Sequence, residues 1–189
     1  MIATLALSFA LAAAPICIQP PAPDDAVCVT GDEAALLSRI SPLLGTIDRP
    51  VSVEAWRSLP VGALPLLERI AEDPSSLPSA RARALEGAAA LGADGAVHER
   101  LAADVAAPFA VRHSALRALG RLLPRQRLEA ALGRLLSGDP ERRIRASAAE
   151  VLASASPSTG CGAVRAQAAR EGIDGRGAFR RALTACGPR

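Results

Sequence analysis

The chain of 189 residues is half hydrophobic yet holds three Phe, one Trp and no Tyr, so Ala and Leu must fill its core. That composition argues against an all-β or α/β fold, because strands draw on β-branched and aromatic side chains while Ala, Leu, Arg and Glu serve helices. The formal charge is +3, and all of the lysine-type positive charge is Arg, since no Lys occurs.

Residues 1–16 carry no charged side chain and run from an apolar stretch into small residues at Ala10 to Ala14. This is the pattern of a secretory signal peptide over residues 1–12, and it is too short for a stable membrane span. Ala10-Leu11-Ala12 and Ala12-Ala13-Ala14 both fit a small-x-small cleavage site. Cutting after Ala12 is preferred, because Pro15 would otherwise follow the scissile bond directly. An uncleaved anchor and a misplaced start, the latter suggested by the absence of Arg in the first residues, are the competing readings.

Residues 13–29 form a Pro-rich linker whose centre, Gln19-Pro-Pro-Ala-Pro-Asp-Asp25, is an extended segment rather than a packed element. The four Cys fall in two local pairs, Cys17 with Cys28 and Cys161 with Cys186, as expected of two disulfides in an exported chain. No pair has C-x-x-C spacing, so neither metal nor cofactor is expected. A lipid anchor at Cys17 is disfavoured, since Ala14-Pro15-Ile16 lacks the Leu and the small residue of a lipobox and lipidation would strand Cys28.

Residues 30–60 are read as N-terminal helices, either a degenerate cap repeat or helices outside the repeat array. Thr30-Gly-Asp-Glu33 is a capping box, followed by Ala34, Leu37, Ile40 and Leu44 at helical spacing and a stop by Gly45. A short helix around Ser52 to Leu59 carries Trp56.

Residues 61–189 contain internal copies. Val111-Arg-His-Ser-Ala-Leu-Arg-Ala-Leu-Gly120 aligns with Ile144-Arg-Ala-Ser-Ala-Ala-Glu-Val-Leu-Ala153 at an offset of 33 residues. Looser copies are Ala82 to Gly92 and Phe179 to Gly187, the last placing Ala182 34 residues after Ala148. Amphipathic segments precede them at Leu64 to Glu72, Gly95 to Val105, Leu128 to Leu136 and Gly162 to Arg170, giving four helical hairpins. Asp-Pro pairs at 73–74 and 139–140 are read as turns in which Asp caps, and Pro opens, the second helix. Each hairpin exposes an apolar stripe that only a stacked neighbour can cover, which implies an α-solenoid.

The V/I-R-x-S-A-x-x-x-L-G/A strings resemble the HEAT-repeat family, in particular short bacterial HEAT-like repeats related to those of phycobilisome lyases. The resemblance covers about Val61 to Gly187 and implies an all-α, armadillo/HEAT-like right-handed superhelix with its second helices along the concave face. It also implies that Asp139 and Arg145 are the acidic and basic pair through which such repeats bond to one another. Phe179 in place of the basic residue and a one-residue shift before Gly92 depart from the pattern. Within this arrangement Cys161 opens the first helix of the last hairpin and Cys186 closes its second, so a disulfide there would staple the terminal repeat.

Charge is uneven along the chain. Residues 24–110 hold thirteen acids against seven Arg, net −6; residues 111–145 hold nine Arg against three acids, net +6; residues 146–189 hold six Arg against three acids, net +3. His113, Arg117 and Arg121 stand at i, i+4 and i+8 and share one helix face, which Arg142 and Arg143 would extend. A solvated helix face is the plain alternative. Catalysis is not expected, for His98 and His113 sit in no nucleophile or metal motif, and Glu99 beside His98 reads as an ordinary exposed pair. The expectation is an exported, periplasmic or secreted, non-enzymatic scaffold presenting this stripe to an acidic protein partner. Nucleic-acid binding by a non-exported chain, and an accessory subunit of an enzyme complex, are the alternatives; scarce aromatics argue against the former.

Overall fold

A computed structural model describes residues 16–18 and 27–29 by their backbone, and residues 31–46, 49–172 and 177–188. The expected signal peptide, the Thr30 cap, the middle of the linker and the Cys17 and Cys28 side chains lie outside the described residues. Within the stretch read as linker, β1 (Ile16–Ile18) and β2 (Val27–Val29) pair antiparallel with Cys17 opposite Cys28. Alternate β-branched residues in both segments favour such pairing over a plain extended chain.

All other described elements are helices. α1 (Gly31–Leu44) stops where expected, with the Gly45 amide donating to Ser41 O. α2 (Val53–Arg57) starts at Ser52, whose hydroxyl accepts the Ala55 amide at 3.2 Å. Among the described residues there follow α3 (Ala63–Glu72), α4 (Pro78–Ala90), α5 (Ala96–Ala103), α6 (Phe109–Leu122), α7 (Arg125–Gly138), α8 (Arg142–Ala155), α9 (Pro157–Arg170) and α10 (Arg180–Ala185). They pack as pairs, α3 with α4, α5 with α6, α7 with α8 and α9 with α10, near the positions the internal copies predict.

The second helices also pack on one another in succession, α4 on α6, α6 on α8 and α8 on α10. One apolar cluster therefore runs through all the pairs, including Leu67, Leu85, Leu116, Leu132, Ile144 and Val164. Small residues permit the close approaches. At Gly87 a Cβ would lie 2.7 Å from Cε3 of the buried Trp56, and at Gly160 it would lie 2.9 Å from Leu152 O.

The Asp-Pro turns work differently from the expectation. Asp73 and Asp139 close the first helix of their pairs instead of capping the second, and Asp104 does the same without a following Pro. Each backbone is extended, as Pro74 and Pro140 favour for Asp73 and Asp139, and each carboxylate accepts the amide two residues on at 2.9 Å, from Ser75, Ala106 and Glu141. The prolines that open helices are Pro78 and Pro157.

A row of arginines ties α4, α6 and α8 each to the end of its own first helix. Arg81 Nε donates to Ala71 O at 2.8 Å, Arg112 Nε to Ala102 O at 3.1 Å, and Arg145 Nη1 to Asp139 O at 2.6 Å. Two of them also cross to the following pair, Arg112 to the Asp139 carboxylate and Arg145 to Glu171 at 2.5 and 2.9 Å. The expected Asp139–Arg145 bond thus uses the Asp139 backbone carbonyl, while its carboxylate serves Arg112 one pair upstream.

Candidate functional site

On α6 the side chains of Val111, Ala115, Leu116, Ala118 and Leu119 enter the core, which turns His113, Arg117 and Arg121 toward one outer face. With Ser147 and Glu150 of α8 and Arg181 of α10 they line an open groove of ≈ 610 Å³. Arg117, Arg121 and Arg181 are all exposed. Among the described residues, none of the three forms an ion pair with a carboxylate.

His113 is half-buried in the wall of this groove and stacks on Phe109 with ring centroids 5.4 Å apart. Its Nδ1 lies 2.9 Å from Ser147 Oγ, and the Ser147 hydroxyl donates to Arg143 O at 2.9 Å. Ser147 Oγ therefore accepts the Nδ1 proton, which leaves Nε2 as the free acceptor of a neutral ring. Burial above all, then the Arg117 charge, hold the His113 pKa below 6.5; Glu150 opposes this, while Arg143 and Arg181 reinforce it. The positive charge of the groove thus comes from its arginines.

Arg142 and Arg143 do not extend the stripe as the sequence suggests. The Arg143 guanidinium covers the Phe109 ring at 3.6 Å from its centroid, and Arg142 Nε sits 3.4 Å from Glu171 beside Arg145. Consecutive helix residues diverge by about 100°, so both could not have faced the same groove.

Arg181 and Glu150 are charged groove residues outside the stripe expected from the sequence. Glu150 stands one offset of 33 residues after Arg117, so the copies themselves carry the signal. In the last copy Arg181 occupies the register of Ser114 and Ser147, a change from small to long and charged that the self-alignment exposes.

His98 is wholly buried rather than part of an exposed pair, with Nε2 3.0 Å from Leu85 O, while Glu99 turns outward to Arg127 Nε at 2.7 Å. Adjacent positions on a helix point in different directions, so one faces α4 and the other faces α7. Cys161 and Cys186 form a disulfide with Cα atoms 5.6 Å apart. No helix among the described residues is long and apolar enough to cross a membrane. No family model, curated protein or solved structure matches the chain.

Proposed function

We propose that this chain is an exported, non-enzymatic scaffold of HEAT-like repeats stacked as an α-solenoid, which docks an acidic segment of a protein partner in the groove between α6, α8 and α10. The observation that carries this reading is the convergence of Arg117, Arg121 and Arg181 with no carboxylate paired to any of them. Elsewhere some exposed arginines are neutralised locally, Arg69 by Glu33, Arg100 by Glu72, Arg125 by Glu129 and Arg127 by Glu99, while others, such as Arg57 and Arg134, have no carboxylate partner among the described residues. What sets the groove apart is that three such arginines converge on it.

Guanidinium forks match carboxylates, like phosphates, in shape as well as charge, which fits an acidic peptide segment. Single strands of nucleic acid bind through exposed aromatic platforms as well as charge. Here Trp56 and Phe179 are buried, and Phe109 is covered by His113 and Arg143. The succession of second helices supports the solenoid, and the apolar leader together with the Cys161–Cys186 disulfide supports export.

The test is fluorescence anisotropy of a labelled oligoglutamate peptide and of a DNA oligonucleotide against the full chain over a salt series. Arg117→Glu with Arg121→Glu should weaken peptide binding at least tenfold, leave helical circular dichroism unchanged, and lose its effect at high salt. Tighter binding of DNA than of the peptide would replace this reading with the nucleic-acid one. Intact mass after alkylation without reduction, on protein from its native host, checks export independently.

A further inference from the structure

Taking the groove as the docking site, on which this inference rests, we propose that the Cys161–Cys186 disulfide is a redox gate on that site, holding Arg181 in the groove only while the bond is intact. Arg117 and Arg121 belong to α6, a helix of 14 residues with seven buried side chains. Arg181 belongs to α10, six residues long, of which only Ala182 is buried. A helix that short does not persist without tertiary support.

The support at its start is Phe179, fully buried, and at its end Cys186, joined covalently to Cys161 in the early turns of α9. Arg165 of α9 adds hydrogen bonds to the carbonyls of Cys186 at 2.8 Å and Gly187 at 3.1 Å. α10 packs mainly on α8, which is the wall of the groove, and only secondarily on α9. The disulfide therefore clamps the far end of the element that delivers the third arginine. Opening the clamp leaves Arg117 and Arg121 in place and lets Arg181 swing out.

The chemistry requires an external dithiol reductant. Its thiolate attacks Cys186 Sγ, because Cys186 is partly exposed while Cys161 is only 5% exposed. The S–S bond breaks, and Cys161 leaves as a thiolate and takes up a proton. The second thiol of the reductant then displaces Cys186 from the mixed disulfide, yielding two protein thiols and one oxidised dithiol, a two-electron exchange.

The experiment measures oligoglutamate binding by the full disulfide-bonded chain, by Cys161→Ala with Cys186→Ala, by Arg181→Ala, and by the triple combination. The double cysteine variant leaves Cys17 and Cys28 untouched. Loss of the disulfide should weaken binding about three- to fivefold, as one screened charge pair does, Arg181→Ala should do the same, and the triple variant should be no weaker than either. Amide exchange should quicken in α10 and stay slow in α6. Direct reduction of the wild-type chain by a dithiol is the second measurement and should reproduce the loss, whatever the cysteine variant does to folding.

Unchanged affinity without the disulfide would overturn the proposal. So would an equal further loss when the disulfide is removed from Arg181→Ala, because the bond would then act through overall stability. Full peptide binding by Arg117→Glu with Arg121→Glu would instead dismiss the groove itself, and the gate with it.

Discussion

Arg112 and Asp139 bury their charges against one another, the guanidinium on α6 meeting the carboxylate that closes α7, with side chains 1% and 2% exposed. Burying two ions is costly unless every remaining donor and acceptor is used. Here Arg112 Nε serves Ala102 O, and Asp139 Oδ1 accepts the Glu141 amide. Arg145 and Glu171 repeat the arrangement one pair further on, so each contact sets the register of one helical pair on the next.

Arg112→Met should cost about 3–5 kcal/mol, because Asp139 would remain buried without its cation. Arg145→Met should cost about 1–2 kcal/mol, since Arg142 stands 3.4 Å from Glu171 and Gln167 also donates to it at 2.9 Å. Urea unfolding of the two variants measures the difference. Equal losses would mean that burial does not distinguish the two contacts.

Glu171 should carry part of the acid sensitivity of the fold. The hydrogen bonds from Arg145 chiefly lower its pKa from 4.5 to about 2, against the opposing effect of burial. A depressed carboxylate pKa means that its stabilisation is complete above the ordinary value and is lost as pH falls between roughly 5 and 2. Glu171→Gln should therefore be less stable than wild type at neutral pH and lose less on acidification. A wild-type acid slope in that variant would assign the sensitivity to other groups.

His98 should act in a milder pH range. Its Nε2 proton is donated to Leu85 O, its Nδ1 is buried without a hydrogen-bond partner, and burial above all holds its pKa below 6.5. Because the folded state resists the proton that the unfolded chain accepts, stability is complete above pH 6.5 and declines as pH falls below it. His98→Leu should cost about 1 kcal/mol at pH 7 and flatten the decline between roughly pH 6.5 and 5. His113, whose pKa is displaced in the same direction, adds to the slope, and Glu68, whose pKa burial raises, opposes it. Thermal melts across this window decide it, and an unchanged slope would contradict the role given to His98.

Two helical glycines should respond oppositely to Ala. Gly133 of α7 has nothing within 4 Å of a built Cβ, so Gly133→Ala should stabilise by about 0.5–1 kcal/mol through backbone entropy and helix propensity. At Gly160 the new carbon would lie 2.9 Å from Leu152 O, and because that atom is backbone, Gly160→Ala should cost about 1–3 kcal/mol despite the same propensity gain. Chemical denaturation of both variants tests the pair, and a stabilised Gly160→Ala would show that α8 and α9 can separate freely.

The helical class, the approximate places of the helices and the pairing of Cys161 with Cys186 were legible in the amino-acid sequence. So was the common face of His113, Arg117 and Arg121. Each of these depends on spacing within one helix or one hairpin, where a period of 3.6 residues and the return of the chain leave little freedom. Tertiary structure alone decided that His98 is buried against Leu85, that Arg142 turns to Glu171, that Asp139 gives its carboxylate to Arg112, and that Arg181 completes the groove. Periodicity says which side of a helix a residue occupies. What that side meets depends on how the neighbouring helical pairs settle against it, through contacts between positions 13 residues apart, as for His98 and Leu85, or 27 apart, as for Arg112 and Asp139, that no local pattern encodes.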